Sequence, residues 1–158
     1  MNTKGHTDAG QALTSLILAI FRLNGRLLVA GDRLVAGLDL TSARWQVLGA
    51  IALAEQPQPV AWLARNMGLN RQGVQRIVNE MRDDGLLDIK PNPHHRRAHL
   101  VVLTRRGKEA FEAAAKLQVP WVNRLAEGVG LKDLVTTQKV VAELCERLEA
   151  GLNGEADD

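Results

Sequence analysis

One cysteine, Cys145, and no tyrosine are the first limits on this 158-residue chain. A lone thiol forms no internal disulfide, so a disulfide-framed secreted domain is excluded and a reducing, cytoplasmic setting is the expectation. Aromatic residues make up only 3% of the sequence, so any core must be built from aliphatic side chains. Long apolar runs are scarce as well. The most apolar stretch near the start, "ALTSLILAIF", is shorter than the roughly 20 residues that cross a bilayer and is not followed by a cleavage region, so neither a membrane partner nor a signal peptide is expected. Also missing are a glycine-rich phosphate loop, a serine elbow, metal-spaced ligands and a carboxylate pair with a histidine. An enzyme is not expected, and no cofactor or metal is implied.

Hydrophobic residues account for 46% of the chain, enough for one ordinary domain with an added oligomerisation element. The net charge of +2 conceals an uneven distribution. Between Val60 and Lys108 there are ten lysines and arginines against four acidic residues, an excess of six, so the remainder is net acidic by four. A basic middle between acidic flanks points to a polyanion partner for the middle, or to a solvated charged surface.

Apolar periodicity divides the chain further. From about Ala9 to Leu38, leucines and isoleucines recur at three, four and seven, a long amphipathic helix in which Gly25 and Gly31 are interruptions. A second helix opens at Thr41 or Ser42, with Trp45, Leu48, Ile51 and Ala52 inward. Pro59 suits the first position of a third, with Val60, Leu63, Ala64 and Met67 inward, and Gly68 ends it. Asn70 caps a fourth in which Val74, Ile77, Val78 and Met81 face inward, and Gly85 sits where a left-handed terminal residue belongs. The period then changes to two. "LLDIKP" and "RAHLVVL" read as the strands of a hairpin whose exposed tip is "NPHHR". Thr104 caps a further helix that Pro120 should kink or interrupt, and a last helix follows Gly130, with Leu134, Val141, Leu144 and Leu148 on one side. A disordered polar tail is expected over 151–158.

Two helices joined by a tight turn and followed by a basic hairpin form the pattern that carries chemistry. In a helix-turn-helix the second helix enters the DNA major groove with its first side chains against base edges. Inward residues 74, 77, 78 and 81 leave Asn70, Arg71, Gln72, Gln75, Arg76 and Asn79 at the cap and on the outer face. Arginine offers a planar fork to guanine and glutamine pairs with adenine. Lys90, His95, Arg96 and Arg97 on the hairpin suit phosphate or the minor groove. Ordinary solvation explains a polar helix face or a basic turn taken singly, but is a poorer account of the two together. His94, His95 and His99 have no cysteine or carboxylate at ligand spacing, so DNA contact or solvation is expected of them rather than metal. Cys145 reads as a buried residue of the last helix rather than a redox sensor.

The segments "FRLNGRLLVAGDRL", "LTSARWQVLGAI", "LARNMGLNRQGVQRIVNEMRDDGLL" and "RRAHLVVLTRRGKEAF" resemble, in order and spacing, the MarR family of winged helix-turn-helix transcription regulators. With the closing helix, the resemblance covers nearly the whole chain. It implies a mainly α fold with a small β-hairpin wing: an N-terminal dimerisation helix over 1–40, a DNA-binding domain over 41–104 and C-terminal dimerisation helices over 105–150. It also implies a homodimer on a pseudopalindromic double-stranded operator, usually a repressor, released by a small molecule. Arg22, Arg26 and Trp45 then stand as candidates for an effector pocket that takes a small aromatic or anionic ligand. His95 departs from the pattern, occupying the place of a wing carboxylate that normally orients the next arginines. A helix-turn-helix adaptor that binds proteins without specific DNA binding is the rival reading, and a footprint on genomic DNA separates the two.

Overall fold

The computed structural model describes residues 5–154. Its elements run in the order α1 (Asp8–Val35), a 3-10 turn (Ala36–Leu38), α2 (Ser42–Ala52), β1 (Gln58–Pro59), α3 (Val60–Asn66), α4 (Arg71–Asp83), β2 (Leu87–Lys90), β3 (Leu100–Leu103), α5 (Arg105–Ala126) and α6 (Leu131–Gly154). Contacts divide the chain into two compact units that meet between Val119 and Pro120. The first unit takes in α1 and the first part of α5 because its core extends beyond the helix-turn-helix, to Val35 on α1 and Ala114 on α5.

The first unit is organised around an aliphatic core. Val47, Leu48, Leu63, Val74, Val78, Met81 and Val101 are almost completely buried, each stabilising the fold by roughly 1.5–3 kcal/mol relative to exposure. On α2, Val47 and Leu48 point inward while Trp45 is only half-buried, so the sequence pattern picked the correct helix but placed its face slightly off. Helix α1 does not break at its glycines. A Cβ on Gly31 would collide with the Ser42 hydroxyl. That close approach lets Ser42 Oγ donate to the Leu28 carbonyl and lets the Ser42 N–H reach Asp32 Oδ1, both at 2.6 Å.

Both helices of the helix-turn-helix end in the same device. Gly68 N–H donates to the Arg65 carbonyl and Leu69 N–H to the Ala64 carbonyl; Gly85 and Leu86 repeat the pair on Arg82 and Met81. These are Schellman ends, which require a left-handed residue after the cap, and Gly68 and Gly85 adopt φ values of +64° and +74°. The C-terminal ends of α3 and α4 are therefore closed by short-range backbone bonds.

The sheet has three strands rather than the two of a simple hairpin, in the antiparallel order β1-β3-β2. Gln58 lies opposite Val101 and Pro59 opposite Leu100. A two-residue strand shows no alternation, which is why periodicity passed over it. Pro59 is the N-cap of α3 rather than its first helical residue, and an edge strand suits a residue with no N–H to give. Pro120 does not interrupt α5, which runs through it. Proline leaves the carbonyl four residues earlier, that of Lys116, without its helical donor, but residues 116–120 are exposed and water can serve that oxygen.

The second unit contains the end of α5 and helix α6. Val141 and Leu144 are half-buried, whereas Leu134 and Leu148 are exposed. Cys145 is also exposed in the single chain, not buried as expected. Residues 151–154 of the expected tail are helical, and the rest of it, 155–158, lies outside the described residues.

Among the described residues, every exposed large apolar side chain except Leu53, Trp62 and Leu69 lies on α1 or from Leu117 onward. Phe21 on α1 is 69% exposed. By length and composition Asp8–Leu38 would suffice to cross a membrane, with mean hydropathy 1.6 over its most apolar window and none of that window buried. The short apolar run seen in the sequence thus belongs to a longer apolar helix. That helix carries Arg22 and Arg26 midway along its length, and each arginine near a bilayer centre costs roughly 2.5–3.5 kcal/mol.

Thr104 joins the end of α4 to the start of α5: its hydroxyl donates to the Gly85 carbonyl at 2.7 Å and accepts from Gly107 N–H at 3.0 Å. Thr104→Val should lower unfolding stability by roughly 1–2 kcal/mol, through the lost cap and the Gly85 carbonyl left without its donor. Thr14→Val, which removes an exposed bond to the Gly10 carbonyl, should change it little. Urea midpoints of the two variants at unchanged m-value make the comparison.

Candidate nucleic-acid interface

Helix α4 starts at a side-chain cap. Asn70 Oδ1 accepts from the Gly73 N–H at 2.7 Å, so the oxygen of this residue is engaged in holding the helix end. Beyond it Arg71, Gln72, Arg76 and Asn79 are exposed and Gln75 is half-buried. Gln75 Nε2 donates to Asn79 Oδ1 at 3.0 Å, which presents the two amides as one hydrogen-bonding unit. Arg76 lies 3.9 Å from Glu80, both well exposed; such a pair contributes little and leaves the guanidinium available.

Two concave surfaces share this helix. The outer one, about 610 Å³, is lined by Arg71, Gln72, Gln75, Arg76 and Asn79, with Glu80 and Asp83 toward its C-terminal end. The other, about 200 Å³, is a cleft where Arg71, Gln75, Asn79 and Arg82 face Arg97 and His99 of the wing, with Ala61 at the start of α3. Arg71, Gln75 and Asn79 line both and form the ridge between them. The cleft contains three arginines and no carboxylate. The unpaired N–H groups at the start of a helix add positive potential there.

The wing tip is ordered by Asn92. Its Oδ1 accepts from His94 N–H at 3.0 Å, its Nδ2 donates to the Ala98 carbonyl at 2.9 Å, and its own carbonyl accepts from His95 N–H at 3.3 Å. With His95 in place of the carboxylate, the turn is held from the other side of the loop. His94, His95, Arg96 and Arg97 are left exposed.

The structure thus brings Arg71, Gln75, Asn79 and Arg97 together, with Gln72 and Arg76 on the adjoining face. It sets Lys90 apart: this residue lines a different cavity, beside the ends of α2 and β3 and the start of α5. Sequence reasoning missed Asn92, Arg82 and Ala61 as parts of the site, and left His99 between DNA contact and solvation; it lines the cleft. Asn92 carried a signal, since asparagine before a proline-containing turn commonly bonds the backbone two residues on. Arg82 carried none, because only the fold of the wing against α4 brings it to the cleft. Arg22 and Arg26 are exposed on α1 and Trp45 is half-buried against the core; none of the three lines the cavities described here.

A basic cleft between a polar helix face and an antiparallel wing defines a winged helix-turn-helix of the DNA-binding class. The MarR family profile matches residues 38–98. An uncharacterised protein of Mycobacterium tuberculosis, Rv2011c, is 33% identical over 138 residues, covering 87% of this chain and 95% of that one. The transcriptional activatory protein BadR of Rhodopseudomonas palustris is 26% identical over 97% of this chain and 91% of its own. Among solved structures, the M. tuberculosis transcriptional regulator MosR in complex with DNA is 25% identical, with a TM-score of 0.72 over 85% of this chain and 96% of that one. The chain belongs to the MarR family of transcription regulators.

The wing-ordering role of Asn92 predicts a local effect. Asn92→Ala should speed hydrogen exchange at the His94 amide, whose acceptor is the Asn92 side chain, while moving the global melting temperature by only a few degrees, about what 1 kcal/mol does in a domain of this size. Mass-resolved hydrogen exchange of parent and variant measures both.

Proposed function

We infer that this protein is a homodimeric transcriptional repressor that binds a pseudopalindromic operator, places α4 in successive major grooves and grips the flanks with its wings. The observation that carries the reading is the convergence of Arg71, Gln75, Asn79 and Arg97 on one acid-free cleft. Glutamine and asparagine amides at the start of such a helix suit base edges, whereas a wing arginine reaches phosphate or the minor groove. Arg71, Gln72, Gln75, Arg76 and Asn79 form the helix contribution; His95, Arg96 and Arg97 form that of the wing. The exposed apolar side chains of α1 and of residues 117–148 are the surface a second copy would cover. The protein acts in the cytoplasm, where its operator lies, and a small effector releases it.

The adaptor reading loses ground to the polar character of the α4 face, which includes no large exposed apolar residue. Activation is a second reading with a specific support, because BadR is by name an activatory protein. A transcription assay on the recovered promoter decides the sign: lower output with added protein fits repression, and higher output fits activation.

Footprinting on genomic fragments bound by the purified protein tests the interface. Two protected half-sites about 10 bp apart, centre to centre, are expected, together with a dimer in sedimentation at micromolar concentration. A single half-site or a monomer would contradict the arrangement. Affinity should fall steeply with salt as phosphate contacts release counterions.

Residue roles separate in binding isotherms. Gln72→Ala or Gln75→Ala should relax preference at particular base pairs, with losses of roughly 1–3 kcal/mol confined to the best sites. Arg97→Ala should weaken all sites and reduce the salt slope by about 1 per wing. Uniform losses in all three variants would mean that the glutamines do not read bases.

A further inference from the structure

The cleft between α4 and the wing holds one group whose charge changes near neutral pH. His99, the residue before β3, lines it with Arg71 and Arg82 of α4 and Arg97 of the wing. The chain has four histidines, and His6, His94 and His95 do not line the cleft. The other elements around it add no titratable group: Pro59, Val60 and Ala61 come from β1 and α3, and Ile89 comes from β2.

Carboxylates are kept outside. Asp83 Oδ1 accepts from Arg82 Nε and Nη2 at 3.3 and 3.1 Å, but Asp83 is not part of the lining. Arg71 and Arg97 take part in no salt bridge among the described residues. In the free protein, then, nothing negative lines the cleft to favour an imidazolium over the neutral ring. His99 is exposed, so its proton exchanges with water or buffer directly.

We propose that His99 takes up a proton when a DNA backbone phosphate seats in this cleft, so that the protein grips DNA with a charge it does not carry when free. Neutral imidazole offers one N–H and one lone pair, whereas imidazolium offers two donors. A charged donor bonds a phosphate oxygen about twice as strongly as a neutral one. A phosphate also supplies the negative charge that the lining lacks, which favours the protonated ring. The proton comes from solvent and stays on the imidazole while DNA is bound. The sign of the linkage follows. The bound form holds the proton more tightly than the free form, so DNA affinity is greatest below the ordinary histidine value of about 6.5 and declines as pH rises above it. This contact rests on the DNA-binding reading above, and it makes His99 a DNA-binding residue distinct from the exposed pair His94 and His95 at the wing tip.

The test is calorimetry of the full chain with its footprinted duplex near neutral pH, in two buffers of different ionisation enthalpy. The difference in heat counts protons taken up on binding. Uptake is expected, with affinity roughly tenfold lower per cleft at about pH 8 than at about pH 6, the factor a charge-assisted contact supplies. His99→Gln, a change at an exposed position, should abolish most of the uptake and flatten the pH response, leaving affinity at the higher pH nearly that of the parent. His99→Arg, which carries a permanent charge, should bind tightly at both pH values with no uptake. His94→Gln/His95→Gln should retain the uptake of the parent. Binding without proton uptake overturns the proposal and leaves the DNA-binding reading intact. So does unchanged uptake in His99→Gln, or its loss in His94→Gln/His95→Gln. Absence of DNA binding at every pH overturns both.

Discussion

Everything the interface can do depends on how α4 is seated. Val74, Val78 and Met81, four and three residues apart, are wholly buried and fix the rotation of the helix about its own axis. A turn of about 100° per residue then assigns the remaining positions to solvent without further choice. The amide pair Gln75–Asn79 and the guanidinium of Arg71 are where they are because the valines are where they are. Replacing one of these valines would cost packing energy and would also re-aim the polar face, so stability and recognition share the same residues.

The ends of that helix are anchored by polar means. Asn70 closes the start. At the other end, Asp84 is held from two sides: its carboxylate pairs with Arg44 of α2, and its carbonyl accepts from Arg106 of α5 at 2.8 Å. Arg44 also donates to the Asp39 carbonyl at 3.3 Å and keeps a buried Nε without a partner. A group left unsatisfied in this way weakens the clasp relative to a fully bonded one. The last turn of α4 is thus more readily disturbed than its apolar middle.

Sequence patterns revealed most of this architecture because α-helices that cover a core repeat every three or four residues. They revealed the caps because Thr41, Asn70 and Thr104 are side chains with few other reasons to precede an apolar run. They failed where structure is short or made by distant partners. β1 has two residues and no period. Pro59 fits a helix start, and the sheet then used it as an edge. Lys90 looked like a wing cation by position along the chain, yet the register opposite Leu100 brings it to the α2–α5 side. The core contributions of Val35 and Ala114 were hidden because their helices also carry apolar faces that the single chain leaves exposed. Of the site, the α4 residues were legible one by one, whereas the cleft that joins them to Arg97 follows only from tertiary packing.

The outer face of α4 is not uniform in charge. Arginines 71 and 76 occupy its first half, and Glu80 and Asp83 the second. The helix therefore carries an electrostatic arrow in addition to its backbone dipole, both pointing the same way. A rod-like polyanion approaching at random meets attraction at one end of the helix and repulsion at the other. Such an arrangement disfavours encounters in the wrong orientation before any base is touched. For any protein that searches DNA through non-specific contacts, such an arrow narrows a rotational search that would otherwise be repeated at each stop along the duplex.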